Sequence, residues 1–189
     1  MKWLGRLAIA VAAVGGVAAV YLGLVSGALP VDVGVGRRTR RLGPQTVDIA
    51  APREVVFDVI AQPYLSRSTR AMREKVRVLE RGSDMVLAAH FTPIAAGRLT
   101  ATTVETVRFT RPQRVDFRLV RGPVPTVVES FQLDEHGAGT RLVYEGELGT
   151  DGWALGERWG HAVAARWEAT VAASLSTIKA EAERRAARR

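Results

Sequence analysis

The spacing of apolar positions changes character three times along the chain. Residues 7–31 form a Leu/Ala/Val/Gly run without a single charge, bounded by Arg6 and Asp32. As helix this run would extend roughly 37 Å, more than a hydrocarbon core of about 30 Å, and it predicts a membrane segment. Two other readings compete with it. A secretory signal peptide would also start with Lys2 and Arg6 and could be cut near Ser26, Gly27 and Ala28, but its apolar part normally spans about 7–15 residues. A buried core helix of this length would need a larger body around it.

After the turn signal Gly43-Pro44, residues Gln45 to Ala50 predict a short strand, and Ala51-Pro52-Arg53-Glu54 opens a helix with proline in its first turn and an acid near its positive end. Val55, Val56, Val59 and Ile60 supply its apolar stripe, and Pro63 ends or bends it. Tyr64 to Ala71 is polar and irregular, a short second helix or a loop.

The period then changes to two. Val76 and Val78 alternate before Arg81-Gly82-Ser83-Asp84; Met85, Leu87, Ala89 and Phe91 before Pro93; Leu99 to Phe109 is a Thr/Val-rich strand. Val115, Phe117 and Leu119 lead to Gly122-Pro123-Val124-Pro125. Val127, Glu129, Phe131 and Leu133 lead to His136-Gly137-Ala138-Gly139, and Leu142, Tyr144 and Leu148 mark a last strand. With turns about every dozen residues and no helix between strands, the sheet is expected to be antiparallel. The chain closes on one helical stripe, Leu155, Trp159, Val163, Trp167, Val171, Leu175 and Ile178. Six or seven strands with one apolar face and a long helix with a matching stripe must pack together, an α+β arrangement that favours an apolar cavity beneath the first helices.

Charge placement narrows the partners. The formal net charge is +8. Residues 1–41 hold six basic residues against one acid, and residues 179–189 hold five against two; residues 42–178 balance 16 basic with 16 acidic. The body therefore offers no basic face for nucleic acid. The Arg37–Arg41 cluster beside the apolar run suits anionic headgroups or a solvated stop-transfer linker, and counting positive charge near the segment ends leans the body towards the cytoplasm. These patterns divide the chain into an anchor at 1–31, a basic linker at 32–44, one domain at 45–185 and a basic tail at 186–189. The absence of cysteine fits either side of a membrane.

The stretch Val47-Asp48-Ile49-Ala50-Ala51-Pro52-Arg53-Glu54-Val55-Val56-Phe57-Asp58-Val59-Ile60 resembles the opening of the polyketide cyclase/dehydrase and lipid-transport group within the START-related, SRPBCC helix-grip superfamily. Arg111-Pro112-Gln113-Arg114-Val115 resembles its strand-to-strand turn, Gly139-Thr140-Arg141-Leu142 its final hairpin exit, and Trp159 onwards its closing helix. The resemblance implies a helix-grip fold, a curved antiparallel sheet wrapped around a long C-terminal helix. The family usually carries a tryptophan after the first helix; Tyr64 to Met72 has none and carries Arg67 and Arg70 instead.

Candidate chemistry is sparse. His90, His136 and His161 stand apart from any ligand-spaced carboxylate, so no metal site and no cofactor are expected. Glu129 lies in phase with Val127 and Phe131, and Glu105 with Val107 and Phe109. A carboxylate on the inner face would be desolvated and held protonated unless paired, whereas a bulge or sheet edge would return it to water. Phe91, Phe117, Phe131, Tyr144, Trp159 and Val163 are the expected cavity walls. The expected function is a membrane-tethered binding module for an apolar small molecule, such as a lipid, a quinone or a polyketide-like compound. The alternatives are an aromatase/cyclase-type enzyme, as the resemblance implies, using Glu129 or Glu105 as general base, and a ligand-free interaction domain.

Overall fold

The computed structural model describes residues 15–29, 32–65 and 69–188. Seven strands form one antiparallel sheet: β1 (Arg38–Ile49), β2 (Val76–Arg81), β3 (Met85–Ile94), β4 (Leu99–Thr110), β5 (Arg114–Arg121), β6 (Thr126–His136) and β7 (Gly139–Thr150). Their spatial order is β1-β7-β6-β5-β4-β3-β2, so the first two strands in sequence occupy opposite edges. Between them run α2 (Arg53–Ala61), a 3-10 turn (Gln62–Tyr64) and α3 (Arg70–Lys75), while α4 (Trp153–Ala186) closes the chain. β1 begins at Arg38, inside the segment expected as a basic linker.

The α+β architecture follows the sequence pattern. Val55, Val56, Val59 and Ile60 all bury from α2, which packs against α4, and α4 lies along β1 and β7. The predicted α4 stripe is corrected at its N-terminal half. Leu155 is 79% exposed, Trp159, Val163 and Trp167 are half-buried, and the residues pressed deepest are Gly160, Ala164, Val171, Leu175 and Ala182. The helix approaches β7 so closely that a Cβ on Gly160 would stand 3.0 Å from Thr150 Cγ2. Small residues set the contact, and the two tryptophans flank it.

The membrane-spanning reading of residues 7–31 is also corrected, together with the single-pass membrane location drawn from it: among the described residues no helix is long and apolar enough to cross a membrane. Residues 7–14 and 30–31 of that run lie outside the described residues. The described helical part of the run is α1 (residues 15–25). Gly27, at a left-handed φ of 67°, follows its end. Val25 is buried, the Gly27 carbonyl accepts from Arg121 Nε, and Tyr21 meets Trp159 edge to face with ring centres 6.1 Å apart. Those contacts tie the end of the apolar run to the domain.

A polar clasp holds the next segment. Asp151, just before α4, accepts from the backbone N–H groups of Val33 and Gly34 at 2.8 Å each and from Arg37 Nε at 2.8 Å. Hydrogen bonding to Arg37 and to those amides holds its carboxyl down at about 2. A carboxylate whose pKa falls on folding stabilises the fold above its unfolded value of about 3.9 and loses that contribution as the pH drops towards 2. Asp151→Asn should therefore expose residues 32–37 to protease at pH 7, and wild type should show the same cleavage only near pH 2–3. Equal resistance of variant and wild type at pH 7 would refute the clasp.

Candidate functional site: a buried carboxylate pair

The inner face of the sheet is fixed by register. Val107 on β4 faces Phe117 on β5, Phe117 faces Glu129 on β6, and Glu129 faces Gly146 on β7. Phe117 and Phe131 meet edge to face at 5.4 Å, and Phe131 and Tyr144 at 5.7 Å. Glu129 is the one acid in this row. Its Oε2 accepts from Tyr144 Oη at 2.8 Å and from Trp167 Nε1 on α4 at 2.7 Å. Gly146 makes room for it, since a Cβ there would sit 2.7 Å from both Glu129 Cβ and the Val128 carbonyl oxygen.

Glu105 shares the face. Two residues before the buried Val107 on β4, it points inward by strand alternation, is 6% exposed and accepts from Thr103 Oγ1 at 2.7 Å. Its Oε2 lies 3.3 Å from His90 Nδ1, and His90 Nε2 lies 2.9 Å from Tyr64 Oη. Burial pushes the Glu105 carboxyl up to about 7; burial and then the charge of Glu105 push Glu129 up to about 7 as well, against the lowering effect of its two donors. Burial holds His90 down to about 4, so its ring is neutral at physiological pH. Burial and the two carboxylates raise the Tyr64 phenol well above its ordinary value.

Glu129 is hemmed in by protein yet keeps accessible surface. Neither Glu129 Oε1 nor Glu105 Oε2 receives a protein hydrogen bond among the described residues. A separate cleft of about 380 Å3 runs along the outer flank of α4 and β1, lined by residues such as Gln45, Val47, Leu175 and Lys179; it shares no residue with the carboxylate pair.

Of the residues expected at the site, Glu105, Glu129, Phe117, Phe131 and Tyr144 converge on the inner face, and Trp159 and Val163 flank it from α4. Phe91 does not join them and is corrected. It pairs with Thr102 on the opposite face, with the Arg77 guanidinium 5.6 Å from its ring centre, and β3 presents Val86, Ala88 and His90 inward instead. His90 is accordingly not the isolated histidine expected. Tyr64, Thr103 and Trp167 complete the polar set that the sequence left unassigned.

The family model described as polyketide cyclase / dehydrase and lipid transport matches residues 44–183. The chain belongs to that family. No curated protein matches the sequence. Among solved structures, the Zhui aromatase/cyclase from Streptomyces sp. R1128 is 20% identical, with 79% of this chain and 95% of that one covered and a TM-score of 0.61. A protein from Thermus thermophilus is 17% identical, with 77% and 97% covered and a TM-score of 0.58. The di-domain aromatase/cyclase StfQ of the steffimycin pathway is 12% identical, with 80% and 52% covered and a TM-score of 0.63. At these identities the likeness establishes the shared fold.

Proposed function

We propose that this member of the polyketide cyclase/dehydrase family binds an apolar small molecule carrying a carbonyl or hydroxyl group, held between the sheet and α4 with Glu129 as its polar anchor. The observation that carries this reading is the largely buried Glu129 carboxylate on the inner face of the sheet, opposite Phe117 in register, with Oε2 fixed by Tyr144 and Trp167. An inward acid that stays largely protonated up to about 7 can donate to a ligand carbonyl, which an apolar pocket alone cannot do. The aromatase/cyclase names of two structural neighbours make polyketide-like poly-carbonyl compounds the first ligands to test, with quinones and lipids next.

Delipidated protein should bind one equivalent of an environment-sensitive hydrophobic dye, displaced by a polyketide-like or quinone ligand. Glu129→Gln keeps shape and hydrogen bonding, so affinity should stay within about threefold, the scale of part of one neutral hydrogen bond. Absence of saturable dye binding would overturn the proposal in favour of a ligand-free interaction domain. The second reading, an enzyme of the aromatase/cyclase kind, is favoured by two buried carboxyls held near neutrality on the inner face of one sheet. It requires Glu129→Gln to lose on the order of 10²–10⁴ in turnover while still binding.

A further inference from the structure

Residues 21–27, the end of α1 and the loop after it, touch the domain on both sides of the turn between β5 and β6. Tyr21 meets Trp159 edge to face at 6.1 Å, and the Gly27 carbonyl accepts from Arg121 Nε. Val25 is 6% exposed, and a Cβ on Gly27 would stand 3.0 Å from the Thr102 carbonyl oxygen. The Gly122–Pro125 turn lies between these contacts. Trp159 Nε1 donates to the Pro123 carbonyl at 2.7 Å, and a Cβ on Gly122 would stand 3.2 Å from Thr103 Cγ2. Thr103 in turn donates to Glu105 at 2.7 Å. A continuous row of contacts thus runs from α1 through the turn to a buried carboxyl. We propose that residues 21–27 are a plug over the seam between this turn and α4, and that a ligand reaches the carboxylate pair when the plug lifts. The proposal rests on the binding reading above and adds to it the route by which the site is filled.

The packing makes this seam the side that can open. α4 lies along β1, β7 and α2, and at Gly160 it presses on Thr150 too closely for a side chain to fit between them. At the ends of β4 and β5 the cover consists instead of the Trp159 side chain, the Gly122–Pro125 turn and residues 21–27. The plug is a preformed unit, closed on itself by Gly27 N–H to the Leu24 carbonyl at 3.1 Å and Leu29 N–H to the Gly23 carbonyl at 2.9 Å. Its grip on the domain is small. Residues 15–20 are exposed, so seating depends on one aromatic edge, one buried valine and one hydrogen bond from a guanidinium, a set that local opening can break without unfolding the sheet. Beyond the plug, Asp151 holds the amides of Val33 and Gly34, which keeps the segment tethered while it swings.

Stopped-flow binding of the neutral dye Nile red to the full chain tests this. Val25→Ser removes most of the apolar area that seats the plug, so the association and dissociation rates should both rise about tenfold. Affinity should stay within about twofold, because a cover that closes alike over the empty and the filled site changes rates and leaves the equilibrium in place. A rise confined to dissociation, with affinity falling in step, overturns the plug, since that is the signature of a lost contact to the dye. The reverse experiment uses Ala28→Cys with Arg121→Cys in a chain that has no cysteine of its own, joined by a short bis-maleimide. Coupling should slow both rates about tenfold or more relative to the same protein before coupling. Equal rates before and after coupling overturn the plug, whatever Val25→Ser does to the fold. Absence of Nile red binding in wild type and in the uncoupled variants overturns the binding reading itself, and the entry route falls with it.

Discussion

Replacing Glu105 with Gln should make the protein more stable in mild alkali, by up to about 3 kcal/mol. The sign follows from linkage. Glu105 rises from 4.5 to about 7 on folding, so the folded state binds its proton more tightly than the unfolded chain does, and stability falls as the pH climbs between those values. Above about 7 the full penalty of an ionised, desolvated carboxylate is present; below about 4.5 it vanishes. Each tenfold change in proton affinity corresponds to about 1.4 kcal/mol, which gives the stated size. Urea unfolding of wild type and Glu105→Gln at pH 4 and pH 8.5 checks this: equal stability in acid and a higher midpoint for the variant in alkali. A variant weaker than wild type at pH 8.5 would mean that the ionised carboxylate is a net asset to the fold. Because the charge of Glu105 also raises Glu129, the same substitution should lower the titration midpoint of Glu129.

Tyr144→Ala should cost about 3–5 kcal/mol, the range for removing a large aromatic from a core, and lower the melting temperature by roughly 6–20 °C. The ring is fully buried, packs against Phe131 and carries one of the two donors to Glu129. Tyr144→Phe separates packing from hydrogen bonding: about 1 kcal/mol lost, the core retained, and the Glu129 carboxyl pushed further up as one stabilising donor disappears. Thermal unfolding of both variants decides this, and a loss below about 1 kcal/mol for the alanine variant would refute the packing role.

The strand and helix order was legible because each element carries its own period: two for β4 to β7, near four for α4. Phase was harder to read. On β3 the run Val86-Leu87-Ala88-Ala89-His90-Phe91 is apolar on both parities, and Ala88 and Ala89 are both buried. The deciding signal was the turn rather than the strand. Ala95, Ala96 and Gly97 all adopt positive φ, and a hairpin reversing there pairs Ala88 with Glu105 and His90 with Thr103, which sends His90 inward and Phe91 out. A turn placed at Pro93 hides that relation. On α4 the bulky residues suggested the contact face, but helix and sheet approach closest at Gly160 and Ala164, where bulk would hold them apart. Tyr64 escaped notice because its partner lies 26 residues away, across a 3-10 turn and α3.

The strand order also governs how the molecule can assemble. β1 finds its sheet partner only in β7, with Arg38 opposite Thr150 and Ile49 opposite Thr140, roughly a hundred residues later. β2 to β7 can zip successively through neighbouring hairpins, each closing a short loop, while β1 waits. On a ribosome the first strand emerges early and must remain unpaired until nearly the whole sheet has been synthesised. The clasp between Asp151 and residues 33–37 sits where that last strand meets the sheet. The β1 edge can therefore close only after β7 has been made, and the Trp167 donor that fixes Glu129 arrives later still, on α4.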